Sequence, residues 1–246
     1  MARFDGRNPR AERVARDLSS KLVTLIVDDQ REAIRAVIEA GIEAGRGPRD
    51  TALDIVGRVD KAAGKRTGGI VGLNAPQAKA WAKAGTELDE LDPAYFERKL
   101  RDKRFDPMVR KAIETGKPLS KADRERILTR YSDRLLKHRG DTIARTETIA
   151  SLNAGRNEGI RQILEAGNVT EDQVVKVWDS TGADGRTRDT HLAMEGQRKS
   201  LGEPFVTPTG QRLMHPGDAT LGASGAEIIN CRCVVRYDIS FYRGLK

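Results

Sequence analysis

The sequence predicts an α+β protein: an extended, mainly α-helical N-terminal region leading into a small α+β C-terminal domain. Three observations carry that expectation. Apolar residues recur at helical spacing through the first two thirds of the 246-residue chain. Beyond Gly167, β-rich runs gather at 174–178, 228–229 and 233–237. Gly, Pro and Thr crowd residues 202–225. The expected division is an N-terminal helical segment (1–66), a second helical region (67–140), and a domain of one long helix plus a small α+β head (141–246).

From about Arg10 to Ala44, the residues Val14, Leu18, Leu22, Leu25, Ile26, Ile34, Val37, Ile38 and Ile42 follow the period of one amphipathic helix, which Gly45-Arg46-Gly47-Pro48 stops. Asp50 and Thr51 can cap a shorter helix carrying Leu53, Ile55, Val56 and Val59. It fades into a glycine-rich stretch, 62–69, that lacks a following G-K-S/T and reads as a flexible link. Asn74-Ala75-Pro76, Asp92-Pro93 and Asp106-Pro107 announce three further helix starts, because the capping side chain accepts from orphan N–H groups and proline loses nothing in a first turn. Ser120 offers a fourth cap. A separate helix is expected from Asp141 to about Ala166, with Gly167 past its end. On it Thr146, Ala150, Asn153 and Asn157 share one stripe. Gly155 and Gly159 cost about 1 kcal/mol each relative to alanine, and suggest that another backbone approaches there.

Composition narrows the function classes. Charged residues make up 33% and aromatics 4%, which suits long solvated helices with little bulky core. No apolar run of about 18 residues predicts a membrane span. The start, Met1-Ala2-Arg3-Phe4-Asp5-Gly6-Arg7, has no apolar segment behind its basic residue, so a secretory signal is not expected and the protein should stay where it is made. Of the +8 net charge, six units lie in residues 101–150, where 14 Lys and Arg face 8 Asp and Glu. Arg98, Lys99, Arg101, Lys103, Arg104, Arg110 and Lys111 are the candidates for nucleic-acid contact through counterion release. The alternative is a solvated helix face, since acids are interleaved.

Both cysteines and two of the three histidines fall within residues 191–233. His191, His215, Cys231 and Cys233 form a chemically sensible tetrahedral zinc set, and a structural metal would help to hold a loop-rich domain together. C-x-C is a rarer spacing than C-x₂-C, so two small buried thiols in a core strand, with histidines that only hydrogen-bond, stand as the other reading. In a strand Cys231 and Cys233 would point to one side. If 184–195 is helical, Asp184, Arg188, His191 and Glu195 share a face. A metal-dependent hydrolase or a cysteine nucleophile paired with His191 can be assembled from these residues, but no specific catalytic spacing supports either.

The ordered set Ile143-Ala144-Arg145-Thr146-Glu147-Thr148, Asn153, Gly155, Trp178, Asp184-Gly185-Arg186-Thr187-Arg188-Asp189-Thr190-His191, Glu195-Gly196, Phe205, Pro216-Gly217-Asp218 and Asn230-Cys231-Arg232-Cys233 resembles the phage Mu F-type minor head, or head morphogenesis, family. The resemblance covers roughly residues 120–238, with looser likeness at 72–77 and 101–106. Its motif positions are Arg145, Thr146, Glu147, Asn153, Trp178, Asp184, Arg186 and Arg188. The resemblance implies a low-copy virion protein of the head, near the portal vertex, assembled in the host cytoplasm without a membrane. Its implied partners are the portal protein, other head proteins and packaged DNA, and it implies no established enzyme activity. A nucleic-acid-binding module and a metal-dependent enzyme acting on nucleic acid are the alternatives.

Overall fold

The computed structural model describes residues 28–60, 65–67, 69–180, 182 and 185–240. The part of the expected first helix before Asp28 lies outside them. The chain forms two compact units, one drawn from residues 52–141 and the other from residues on either side, up to 51 and from 142 onward.

In the 52–141 unit the core gathers Ala84, Leu88, Tyr95, Val109, Ile127, Leu128, Tyr131 and Leu135. The helix α3 (Ala75–Asp89) starts as the sequence predicts: Asn74 accepts from the Gln77 N–H at 2.9 Å, Gln77 returns a side-chain acceptor to Asn74, and Pro76 sits in the first turn. Asp92 also caps, accepting from Ala94 N–H, but it opens a short 3₁₀ helix, Pro93–Glu97, rather than an α-helix. Asp106 does not cap α4 (Asp106–Thr115). Phe105 precedes that helix without a side-chain cap, because the Asp106 carboxylate is taken by Arg101 in a bidentate pair at 2.9 and 3.0 Å. Val59, expected on a helix, lies in the strand β1 (Arg58–Asp60), antiparallel to β2 (Lys65–Thr67), so part of the stretch 62–69 read as a flexible link is itself a strand.

Among the described residues, the other unit begins with the helix α1 (Asp28–Glu43). Ahead of the 52–141 core, α2 (Pro48–Val56) starts two residues before the expected cap, with Pro48 at its first position. The largest departure concerns the helix α5, which runs unbroken for 45 residues, Lys121–Glu165, instead of restarting at Asp141. Gly140 is not a break but a close approach. A Cβ there would meet Val56 Cγ1 at 2.7 Å and the Ala52 carbonyl oxygen at 3.0 Å, so packing gives the helix its return for an interior glycine. Asp141, read as a start, instead pairs with Lys137 one turn back. At the other end Gly167, with φ of 72°, donates to the Leu164 carbonyl as a helix terminator does.

Beyond α5 a three-stranded antiparallel sheet has β3 (Val174–Asp179) at its centre, between β4 (Arg198–Ser200) and β7 (Val234–Ile239). A second pair, β5 (Phe205–Val206) with β6 (Arg212–Leu213), lies in the loop-rich stretch. The 184–195 segment is not one helix: α6 covers only Asp189–Leu192, with Arg188 preceding it, and Glu195 accepts from the Ser180 N–H. Nor is 228–229 a strand, since α7 (Gly225–Ile228) ends there. Trp178, Met194, Phe205, Leu213, Ile228, Cys231, Cys233 and Val235 make one core cluster of this unit. Ile160, Val169, Val174 and Leu201 make another.

Candidate metal centre

The stripe on α5 meets the C-terminal segment residue by residue. Thr146 Oγ1 accepts from the Asn230 N–H at 2.8 Å. Asn153, 1% exposed, donates to the Pro216 and Cys233 carbonyls at 3.1 and 3.2 Å and accepts from the Val235 N–H at 3.1 Å. Asn157 accepts from the Tyr237 hydroxyl at 3.1 Å. Between them, Gly217 (φ 82°) lies so close to Ala150 that a Cβ would sit 3.1 Å from its Cα. Gly155 is buried and Gly159 half-buried.

Arg188 works from the other side. Its guanidinium donates to the Glu227 carbonyl at 3.3 Å and to the Ile229 carbonyl, holding the end of α7. Arg232 donates to Thr187 Oγ1 at 3.1 Å. Asn230 takes φ of 58°, a left-handed conformation that asparagine tolerates better than most residues. Pinned at Asn230, Cys233 and Val235, the segment delivers Cys231 and Cys233 to one place although neither lies within a strand.

Three of the four expected ligands meet there. His191 Nδ1 is 3.6 Å from Cys231 Sγ and 3.4 Å from Cys233 Sγ, and the donor atoms of all three lie within 4.8 Å of one another. They are 1%, 2% and 1% exposed. The fit can be tested: with Zn–S of about 2.3 Å and Zn–N of about 2.0–2.1 Å, a tetrahedral angle separates nitrogen and sulfur by about 3.6 Å, close to both distances found. The thiols are unequal. A hydrogen bond from Cys231, together with His191, holds the Cys233 thiol well below its usual range against the opposing effect of burial, while Cys231, donating that bond, is pushed up. Trp178 closes the site, its ring edge-to-face with His191 at 5.1 Å and with Phe205 at 5.3 Å.

His215 is the correction to the ligand set. It is buried elsewhere, its Nδ1 is 3.2 Å from the Pro216 carbonyl, and burial lowers its pKa. The donor atoms that converge are those of His191, Cys231 and Cys233, and His215 is not among them. Behind His191, in place of a fourth ligand, stands a residue that sequence reading missed. Glu227 Oε2 is 3.0 Å from His191 Nε2, an ion-pair distance but off the line of a formed hydrogen bond. Its one sequence signal is an acid four residues before Cys231, immediately ahead of the 228–229 run read as strand. Cysteine, histidine and glutamate in that order also match a nucleophile, a base and its orienting group, and here both sulfurs are buried, 2% and 1% exposed.

Of the remaining motif positions, Thr146, Glu147, Asn153 and Trp178 are buried, Arg145 and Arg186 are exposed, and Asp184 lies outside the described residues. The basic candidates separate by partner. Arg98 is spent on Glu87 through a bidentate pair at 2.5 and 2.7 Å, Arg101 on Asp106 and Arg104 on Asp102. Lys99, Lys103, Arg110 and Lys111 are exposed, with Arg110 lying over the Phe96 ring. Among the described residues no helix is long and apolar enough to cross a membrane.

A family model described as Phage Mu protein F like protein matches residues 103–236. That span is 134 of 246 residues, more than half the chain, and contains α5, the strands β3 and β4, the start of β7 and the whole metal-ligand cluster. No curated protein and no solved structure matches the chain.

Proposed function

Because the chain belongs to the phage Mu F-like head morphogenesis family, we propose that it is a non-enzymatic minor head protein of the virion that associates with the portal vertex and assists head assembly in the host cytoplasm. The observation that carries this reading is where the family's residues go. Thr146 and Asn153 are spent on the Asn230-Cys231-Arg232-Cys233 run, and Arg188 on the two carbonyls just before it, Glu227 and Ile229, which is the economy of an architectural domain rather than of an open active site. Co-expression with the cognate portal protein tests it: the two should co-purify as a complex on the assembled portal ring. A ring that binds none of this protein overturns the reading.

Two finer elements belong to the same proposal. Packaged DNA is contacted through Lys99, Lys103, Arg110 and Lys111, the exposed candidates other than Arg104, which pairs with Asp102. Four phosphate contacts give log Kd against log salt a slope of about 3.6 in magnitude. Salt-insensitive binding, or none, removes this element. The His191, Cys231 and Cys233 cluster holds one structural zinc ion, which the nitrogen–sulfur separations support. Metal analysis of the purified protein should find about one zinc per chain, and Cys231→Ser should lose it.

A further inference from the structure

Glu227 is the residue at this centre that ligand geometry does not account for. It is 4% exposed, and a buried carboxylate is retained only where hydrogen bonds or an opposite charge meet it. Its surroundings hold it still. Oε2 accepts from the Thr190 hydroxyl at 3.0 Å, Oε1 from the Thr209 hydroxyl at 3.5 Å, and Arg188 fixes its backbone carbonyl. So held, it faces the edge of the His191 ring opposite the sulfurs. Nδ1 looks at Cys231 and Cys233, whereas Nε2 looks at Glu227 Oε2.

A neutral imidazole carries its proton on one nitrogen and offers a lone pair on the other. A carboxylate oxygen 3.0 Å from Nε2 favours the tautomer with the proton on that nitrogen, to be accepted once the ring turns into line, and this leaves Nδ1 to bind a metal. We propose that Glu227 is the positioning residue of the metal centre, an outer carboxylate that fixes His191 as an Nδ1 ligand beside Cys231 and Cys233. Such carboxylate–histidine–metal arrangements raise ligand basicity and set ring orientation. Thr190 lies next to His191 in sequence and holds Oε2, so α6 supplies both the ligand and a clamp on its orienting group.

The inference rests on the zinc reading, and one experiment separates the two. Zinc affinity of the full chain is measured by competition with a chromophoric chelator, for the native protein and for Glu227→Gln. Glu227→Gln should still bind one zinc per chain at saturation, with affinity about 10–100-fold weaker. Cobalt in both proteins should give the same thiolate-to-metal absorption, since the two sulfurs and the His191 nitrogen are untouched. A native protein that binds zinc no more tightly than Glu227→Gln overturns the positioning role and leaves the zinc reading standing. A native protein that binds no zinc, with both thiols open to titration after unfolding, overturns both. Should Glu227→Gln fail to fold, Thr190→Val removes only the hydroxyl on Oε2: a several-fold loss of zinc affinity is expected, and an unchanged affinity counts against the role.

Discussion

Asn153→Ala isolates the claim that the family's residues build a framework around the cysteine segment. The side chain is 1% exposed and makes three hydrogen bonds, to the Pro216 and Cys233 carbonyls and from the Val235 N–H. Truncation orphans a buried N–H and removes the donor from two carbonyls. At about 1–3 kcal/mol for each buried group left unsatisfied, with the carbonyls at the low end, the loss is about 3–5 kcal/mol. Asn157→Ala is the matched comparison on the same stripe. It loses a single acceptor of the part-buried Tyr237 hydroxyl and should cost about 1 kcal/mol. The assay is thermal unfolding followed by Trp178 fluorescence in a Trp81→Phe background, so that only the unit containing residues 142–240 reports. At roughly 2–4 °C per kcal/mol, Asn153→Ala should lower the midpoint by roughly 6–20 °C, and Asn157→Ala by roughly 2–4 °C. If the two variants melt together, the stripe is only a packing surface and the framework argument fails.

Gly140→Ala gains about 1 kcal/mol of helix propensity, but its Cβ would press on Val56 and the Ala52 carbonyl. Overpacking of about 1–3 kcal/mol should leave it net destabilised in a urea titration, and a stabilised variant would sink the close-approach explanation. Arg98→Met strands the Glu87 carboxylate, 5% exposed, and should destabilise the 52–141 unit by about 3–5 kcal/mol. Lys111→Ala, on the surface, should change stability by no more than about 0.5 kcal/mol, so equal effects from the two would contradict the division between paired and free cations. Burial pushes the Lys176 ammonium from 10.5 down to about 8, although its Nζ donates to the Met214 carbonyl and lies over the Phe205 ring. Between those pH values the unfolded chain holds a proton that the folded chain has lost. Stability should therefore rise as pH climbs from about 8 to 10.5, relative to Lys176→Met at the same pH, and a flat difference between the two urea midpoints would refute it.

The residues themselves determined the α+β class, the Asn74 capping box, the termination near Gly167, the β-rich character of 174–178, and the stripe of Thr146, Ala150, Asn153 and Asn157. These follow from local rules: backbone N–H groups need caps, and side chains recur at 3.6 or 2 residues. The clustering of His191, Cys231 and Cys233 was also visible, because cysteine and histidine are scarce in this chain. Only the tertiary structure decided that α5 passes unbroken through Gly140 and Asp141, since a glycine that terminates a helix and one that admits another helix read alike. It decided that Asp106 serves Arg101 rather than a helix start, and that Arg98 serves Glu87 rather than solvent. It removed His215 from the ligand set and put Glu227 behind His191. A carboxylate and an imidazole 36 positions apart carry no mark of their partnership in sequence. Their meeting depends on where α6 and α7 are carried by the packing of Trp178, Phe205 and Ile228, a long-range result that no periodicity or spacing encodes.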